Sequence, residues 1–205
     1  YLVADTLVPT NTASHTYEAR WHLLPTNTVM DASTKAVTTS DAGVANLAVV
    51  PCLLSNLTVD SVVARSNASY NLLLGWNITG SQSGPAPATT VTHTRSGTGT
   101  NQFLTLLMPL PVGAANPVTN VIATGPTSSR LELSDGRRLL VSADPNPARG
   151  LKLVELLAEG TTNRIAGGGF TPPTISAITD QSTSPNTPVG PLAFTVGETN
   201  LSPTN

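Results

Sequence analysis

The 205 residues carry a formal net charge of −2, with 39% hydrophobic and only 11% charged side chains, the latter about half the usual share. There is enough apolar material for a core, which argues against a disordered chain, and the ten scattered Lys and Arg form no basic patch of the kind nucleic acid requires. No stretch of about 18 uninterrupted apolar residues is available to span a membrane as a helix, and a lone cysteine excludes an internal disulfide.

Thr, Ser, Asn, Gly and Pro dominate the polar residues, a balance that suits short strands joined by turns and serves wet helix faces poorly. Tyr1–Val8 is apolar on both faces and predicts a central strand. It has neither an initiator Met nor a signal peptide before it, so the expectation is a piece of a longer chain. A polar connection, Pro9 to Ser14, leads to Thr16–Leu24, where Tyr17, Ala19, Trp21 and Leu23 alternate with Thr16, Glu18, Arg20 and His22. That is the period of two expected of a strand with one covered face.

Ala45–Val50 follows, within the apolar run Leu47 to Leu54 that holds Cys52, read as a buried small hydrophobe rather than a nucleophile. Further strands are predicted at Leu57–Ala64, Tyr70–Trp76, Thr89–Arg95, Gln102–Met108 and Val118–Thr124. Arg130–Leu133 and Arg137–Val141 are separated by Ser134-Asp135-Gly136, a hairpin signal. Leu151–Glu159, flanked by Gly150 and Gly160, reads as a strand in preference to a helix.

These elements predict an all-β fold over residues 1–166, an antiparallel β-sandwich or set of stacked sheets. Gly167-Gly168-Gly169, followed by Thr171-Pro172-Pro173, reads as a linker over 167–173; a phosphate loop would need a helix N-terminus next. The remainder, 174–205, contains a stretch from Ile175 to Val196 that resembles the opening of a cadherin-like or immunoglobulin-like repeat of bacterial surface and secreted proteins. It is too short to close such a sandwich, which takes roughly 100 residues, so a truncated domain is expected.

Three segments carry a further resemblance. YLVADTLVPTNTASHTYEARWHLLP (Tyr1 to Pro25) joins an apolar strand with an Asp to a polar loop and a His-Thr-Tyr-Glu…Trp-His-Leu stretch. NLLLGWNITG (Asn71 to Gly80) sets Gly-Trp before a loop that holds Pro85 and Pro87. TTVTHTRSGTGTNQFLTLLMPLP (Thr89 to Pro111) ends in Phe-x-Thr-Leu-Leu-x-Pro. In this order, over about residues 1–165, they resemble the carboxy-terminal β region of the heparinase II/III family of polysaccharide lyases.

The resemblance implies an (α/α) toroid upstream in the same parent chain, packed on stacked antiparallel sheets, with a cleft for an acidic polysaccharide between them. Such enzymes cut uronic-acid-containing polymers, heparan sulfate or alginate for example, by β-elimination. A base takes the C5 proton, the carboxylate is neutralised, and the leaving oxygen receives a proton. The family residues for these roles would precede Tyr1, so no catalytic residue is assigned here and the fragment alone is expected to be inactive. The parent is expected to be secreted, periplasmic or at the cell surface.

The same resemblance makes Asp5 and His22 ligands of a structural zinc ion whose third ligand, a His of the preceding strand, would be missing here. A carboxylate inside an apolar strand needs such a partner, because desolvation without one is costly. Asp5 has alternatives in capping a turn or pairing with Arg20, and His22 in sharing the polar face with Glu18 and Arg20. In a simple hairpin pairing Val8 with Thr16, Asp5 would lie opposite Ala19 with His22 on the other face. His15 reads as a solvated loop residue. Candidates for touching sugar are Trp76, ahead of a loop, and His93 with Arg95 on an expected surface hairpin; for Trp21 and Trp76 the competing role is core anchor.

Three function classes follow: the supporting β region of a polysaccharide lyase, a carbohydrate-binding module dependent on Trp76, or a structural spacer in a bacterial cell-surface adhesin. The glycine linker and the repeat-like end support the last without excluding the first, which is the reading adopted.

Overall fold

The computed structural model describes residues 1–67, 72–77, 86–144, 150–156, 162–167, 174–175 and 196–197. Among these it is all-β. In chain order the strands are β1 (Leu2–Leu7), β2 (His15–Leu23), β3 (Thr28–Met30), β4 (Val37–Thr39), β5 (Asn46–Pro51), β6 (Thr58–Val63), β7 (Arg65–Asn67), β8 (Leu72–Leu74), β9 (Trp76–Asn77) and β10 (Ala86–Pro87). They continue with β11 (Thr89–Gly97), β12 (Asn101–Leu110), β13 (Val118–Gly125), β14 (Ser128–Leu133), β15 (Arg138–Ala143), β16 (Leu151–Leu156) and β17 (Thr162–Gly167). A short β18 (Thr174–Ile175) pairs with β19 (Val196–Gly197); the rest of the predicted truncated domain, with Gly168 to Pro173 of the predicted linker, lies outside the described residues.

Three antiparallel sheets stack as layers. The middle one has the order β1-β12-β5-β4-β3. A three-stranded sheet, β2-β11-β6, covers one of its faces, and a five-stranded meander, β13 to β17, covers the other. Period-two alternation sorts the middle strands between the two interfaces. In β5, Ala48 and Val50 join Leu104, Leu106, Leu131, Leu133, Leu139 and Val141 in the core toward the meander. The intervening Leu47 and Val49 turn to the other side, where Val37, Leu107, Trp21, Leu23, Val59 and Val91 meet them. A strand covered on both faces needs an unbroken apolar run, which is what Leu47 to Leu54 supplies. Each fully buried Val or Leu contributes about 2 kcal/mol relative to exposure, so these two interfaces dominate stability.

The long apolar segment at the start behaves differently from expectation. β1 is an edge strand of the middle sheet, paired only with β12, with Leu2 opposite Leu106 and Asp5 opposite Phe103. Its outer half is wet: Asp5 and Thr6 are exposed. Nor do β1 and β2 form a hairpin, since β2 joins a different sheet with His22 opposite Thr90 on β11. The predicted strand Tyr70–Trp76 is cut in two at Gly75, where φ is +73° and a Cβ would lie 2.6 Å from the Ala64 amide nitrogen and 2.8 Å from the Ala88 carbonyl oxygen. Only glycine fits there, and its carbonyl accepts bonds from both the Ala64 (2.9 Å) and Ala88 (2.7 Å) amides.

Side-chain turns set the registers elsewhere. Asp31 Oδ1 accepts from the Ser33 and Thr34 amides (3.1 and 2.7 Å) and from both hydroxyls (2.7 and 2.8 Å), bending β3 into β4. Those bonds, led by the Thr34 amide, hold the Asp31 carboxyl down at about 2. Asn46 does the same for the β4–β5 loop, accepting from the Asp41 amide at 2.9 Å and donating to its carbonyl at 3.0 Å. The predicted Ser134-Asp135-Gly136 hairpin joins β14 to β15, with the Gly136 amide on the Leu133 carbonyl at 3.0 Å.

Candidate functional site

Strand β11 is the middle strand of its sheet, between β2 and β6. Alternation sends Thr90, Thr92 and Thr94 outward and Val91, His93 and Arg95 toward the middle sheet. His93 is therefore not a surface residue: it is 1% exposed, flanked in register by Ala19 and Val59. Its Nε2 has no hydrogen-bond partner among the described residues. Burial, and then the neighbouring Arg95 charge, push its pKa down to about 4. At neutral pH it is an uncharged core residue, unsuited to hold an acidic sugar. The period of two reveals two faces, but which face another sheet will cover is not written in the strand itself.

Arg95, two residues on, is the last inward residue before the sheets part. It is half-buried. One Nη2 hydrogen donates to the Leu53 carbonyl, and the guanidinium carbon lies 5.8 Å from the Phe103 ring centroid, in range of a cation–π contact. Burial lowers its pKa from the usual guanidinium value. Among the described residues no carboxylate forms an ion pair with it; the ion-paired arginines are Arg20, Arg130 and Arg137. Its Nε is buried without a partner.

Two adjoining clefts share this arginine, where all three layers end together. One, of about 250 Å³, is bounded by Leu54, Asn56, Ser96 and Asn101. The other, of about 280 Å³, is bounded by Thr6, Asn101, Gln102 and Thr127. Pro126, from the β13–β14 turn of the meander, borders both. Gln102 is 8% exposed; its Nε2 donates to Thr6 Oγ1 at 3.1 Å, and its Oε1 has no partner. Without a carboxylate partner among the described residues, Arg95 is the group here that can take an anionic group.

No protein-family model matches this chain, and no curated protein or solved structure matches it. The site thus rests on its own geometry.

The other predicted site residues do not gather around Arg95. Trp76 pairs with Pro87, eight residues before Arg95 and so roughly 25 Å away along an extended chain. It is half-buried, with its indole Nε1 enclosed and unpartnered. Trp21 packs in the interface with the middle sheet, as a core anchor does.

Asp5 and His22 do not meet each other. Asp5 is exposed on the edge strand β1, on the face it shares with Phe103. His22 is exposed on the outer face of the covering sheet, with Nδ1 3.3 Å from Thr90 Oγ1. Arg20 pairs with Glu18 instead of Asp5. Among the described residues no group of three or more His, Cys, Asp or Glu is placed to hold a metal ion. His15, expected in a loop, is the half-buried first residue of β2, opposite Gly97, with Nε2 2.8 Å from Asn11 Oδ1 of the preceding loop.

Two members of the Arg95 cleft, Asn101 and Gln102, escape a sequence reading. The available signal is a pair of amides at the head of the largely apolar stretch Phe103 to Leu110, in a strand paired on both sides.

Proposed function

We propose that this chain is a supporting β region of a secreted polysaccharide lyase of the heparinase II/III type, whose parent cleaves uronic-acid-containing polysaccharide by β-elimination in a helical toroid outside these residues. The observation that carries this reading is spatial. The three segments that resemble the family, far apart in sequence, adjoin one another in the fold: the first pairs with the third through β1–β12 and β2–β11, and the second reaches the third where the Gly75 amide donates to Thr90 Oγ1 at 2.8 Å. Motif residues that build one unit are expected of a family core, whereas a chance likeness has no reason to assemble. The stacked sheets would brace the toroid and border the cleft, with substrate chemistry supplied from upstream. Zinc at Asp5 and His22 has no support from their placement on different faces of different sheets.

The test is to assay the parent chain and residues 1–167 alone on heparan sulfate and on alginate, following ultraviolet absorbance of the unsaturated uronate. Turnover by the parent and none by the shorter chain is expected. A parent made only of further β-repeats, with no turnover, would sink the lyase and leave the adhesin spacer.

A further inference from the structure

We propose that the open edge of β3 is a docking site for an extended strand of a partner protein, one that carries basic and apolar side chains in alternation. The site stands whether or not the parent is a lyase. β3 closes the middle sheet at the end opposite β1, so only β4 pairs with it. The Ser40 amide donates to the Asn27 carbonyl and the Asp31 amide to the Ala36 carbonyl, both at 2.9 Å. Antiparallel alternation then leaves the amides and carbonyls of Thr28 and Met30 on the open side. β3 has neither a charge nor a proline, the usual means of blunting an edge, and its outward groups are a template for one more strand. Both faces of this edge are hollow. On the meander side a cleft of about 520 Å³ is bordered by Val29, Thr38, Asp41 and Val112. On the side of the three-stranded sheet a cleft of about 330 Å³ is bordered by Met30, Leu57 and Val59. Asp31 borders both.

The two clefts define the partner strand. Neighbouring strands share their faces, so successive side chains of an added strand fall alternately beside Val29 and beside Met30. The Val29 cleft suits a cation, because Asp31 and Asp41 border it and no Lys, Arg or His among the described residues does. Both carboxylates are held in place beforehand. Asp31 takes its four bonds from Ser33 and Thr34 on Oδ1, which leaves Oδ2 for a partner. Asn27 Nδ2 donates to Asp41 Oδ1 at 3.2 Å. The methylene stem of a Lys or Arg would cover Val29 and Val112, each 62% exposed. The Met30 cleft suits an apolar side chain, packed on Met30, Leu57 and Val59. Lys35, beside it, already donates to the Leu57 carbonyl. Exposed apolar side chains gathered at one place mark a partner's seat.

The test is a nuclear magnetic resonance titration of the full chain with the acetylated and amidated peptide Val-Lys-Val-Lys-Val. Its controls are Val-Glu-Val-Glu-Val, and the first peptide N-methylated on every amide. Saturable shifts at Thr28, Met30, Asp41 and Val112 are expected with the Lys peptide, weakening as salt is added, with both controls silent at equal concentration. Met30→Pro removes one amide hydrogen on the open side, where proline is tolerated, and should weaken binding about tenfold or more. Asp41→Asn should weaken it about threefold. If Met30→Pro does not fold, Asp41→Asn and the methylated peptide carry the test. Equal binding of the Glu peptide or of the methylated peptide, shifts confined to other strands, or affinity indifferent to both variants would overturn the proposal. So would broadening of the Thr28 and Met30 signals with protein concentration in the absence of peptide, which would make the occupant a second copy of this chain.

Discussion

The two faces of the middle sheet are built to different rules. Toward the meander the cluster is aliphatic, from Ala48 and Val50 through Leu104 to Leu131 and Val141, and its charged neighbour Glu155 is answered by Arg137 at 2.5 Å. Toward the three-stranded sheet the interface mixes Val37, Val49 and Val91 with His93, Thr89 and Thr105, all nearly or wholly buried, and it ends at Arg95. Buried polar atoms without partners among the described residues occur on both sides, Trp21 Nε1, His93 Nε2 and Arg95 Nε here, Ser129 Oγ and Gln102 Oε1 toward the meander. An apolar interface maximises stability, whereas unsatisfied polar groups cost about 1–3 kcal/mol each and persist where something else is gained. The contrast separates an interface closed almost wholly by aliphatic side chains from one in which a buried imidazole and threonines share the packing.

The largest expected effect lies on the aliphatic face. Leu131→Ala, at a wholly buried position, should lower stability by about 4 kcal/mol in urea titration, through lost transfer energy and a cavity. A loss under about 1 kcal/mol would erase the distinction.

Next comes acid. His93 titrates at about 4 in the fold against about 6.5 when unfolded, so as pH falls from 6.5 to 4 the unfolded chain binds the extra proton and stability drops. The drop is on the order of 3 kcal/mol, levelling off below pH 4. His93→Leu should abolish that slope while leaving the neutral-pH melting temperature unchanged or higher; a slope that survives the substitution assigns it to other groups.

A smaller effect sharpens the contrast at the cleft. Gln102→Leu removes the unsatisfied oxygen and should stabilise by about 1 kcal/mol in thermal melts; a variant that is less stable would show that the bond to Thr6 outweighs it. The smallest effect is a null one. Cys52 is completely buried, and desolvation pushes its thiol up to about 12, so it should resist thiol reagents at neutral pH until the chain unfolds.

How far the sequence discloses this arrangement depends on the range of the interaction. Alternation along Thr16–Leu24, the unbroken run Leu47 to Leu54 and the Ser134-Asp135-Gly136 turn are local signals, and each becomes the element it predicts. β3 and β4 escape notice because three residues are too few for periodicity, and what makes them strands is the Asp31 turn between them. Pairing across the chain is not local at all. Nothing in Tyr1–Val8 reveals that its partner is β12, so a segment apolar enough for the centre of a sheet turns out to lie at its edge. The site follows the same division. Arg95 attracts attention as a charge on a strand, but its isolation from carboxylates and its company of Asn101 and Gln102 exist only once three sheets meet.

That long-range pairing has a consequence in time. β1 is closed into its sheet by a strand about a hundred residues later, with Leu2 opposite Leu106. At a synthesis rate of about 5–20 residues per second, β1 waits on the order of ten seconds for a partner that does not yet exist. During that interval an apolar strand with open hydrogen-bonding groups is a template for any other strand nearby. Sheets with such distant pairings also fold slowly once complete. β1 is then the strand most open to mispairing while β12 is still to be made.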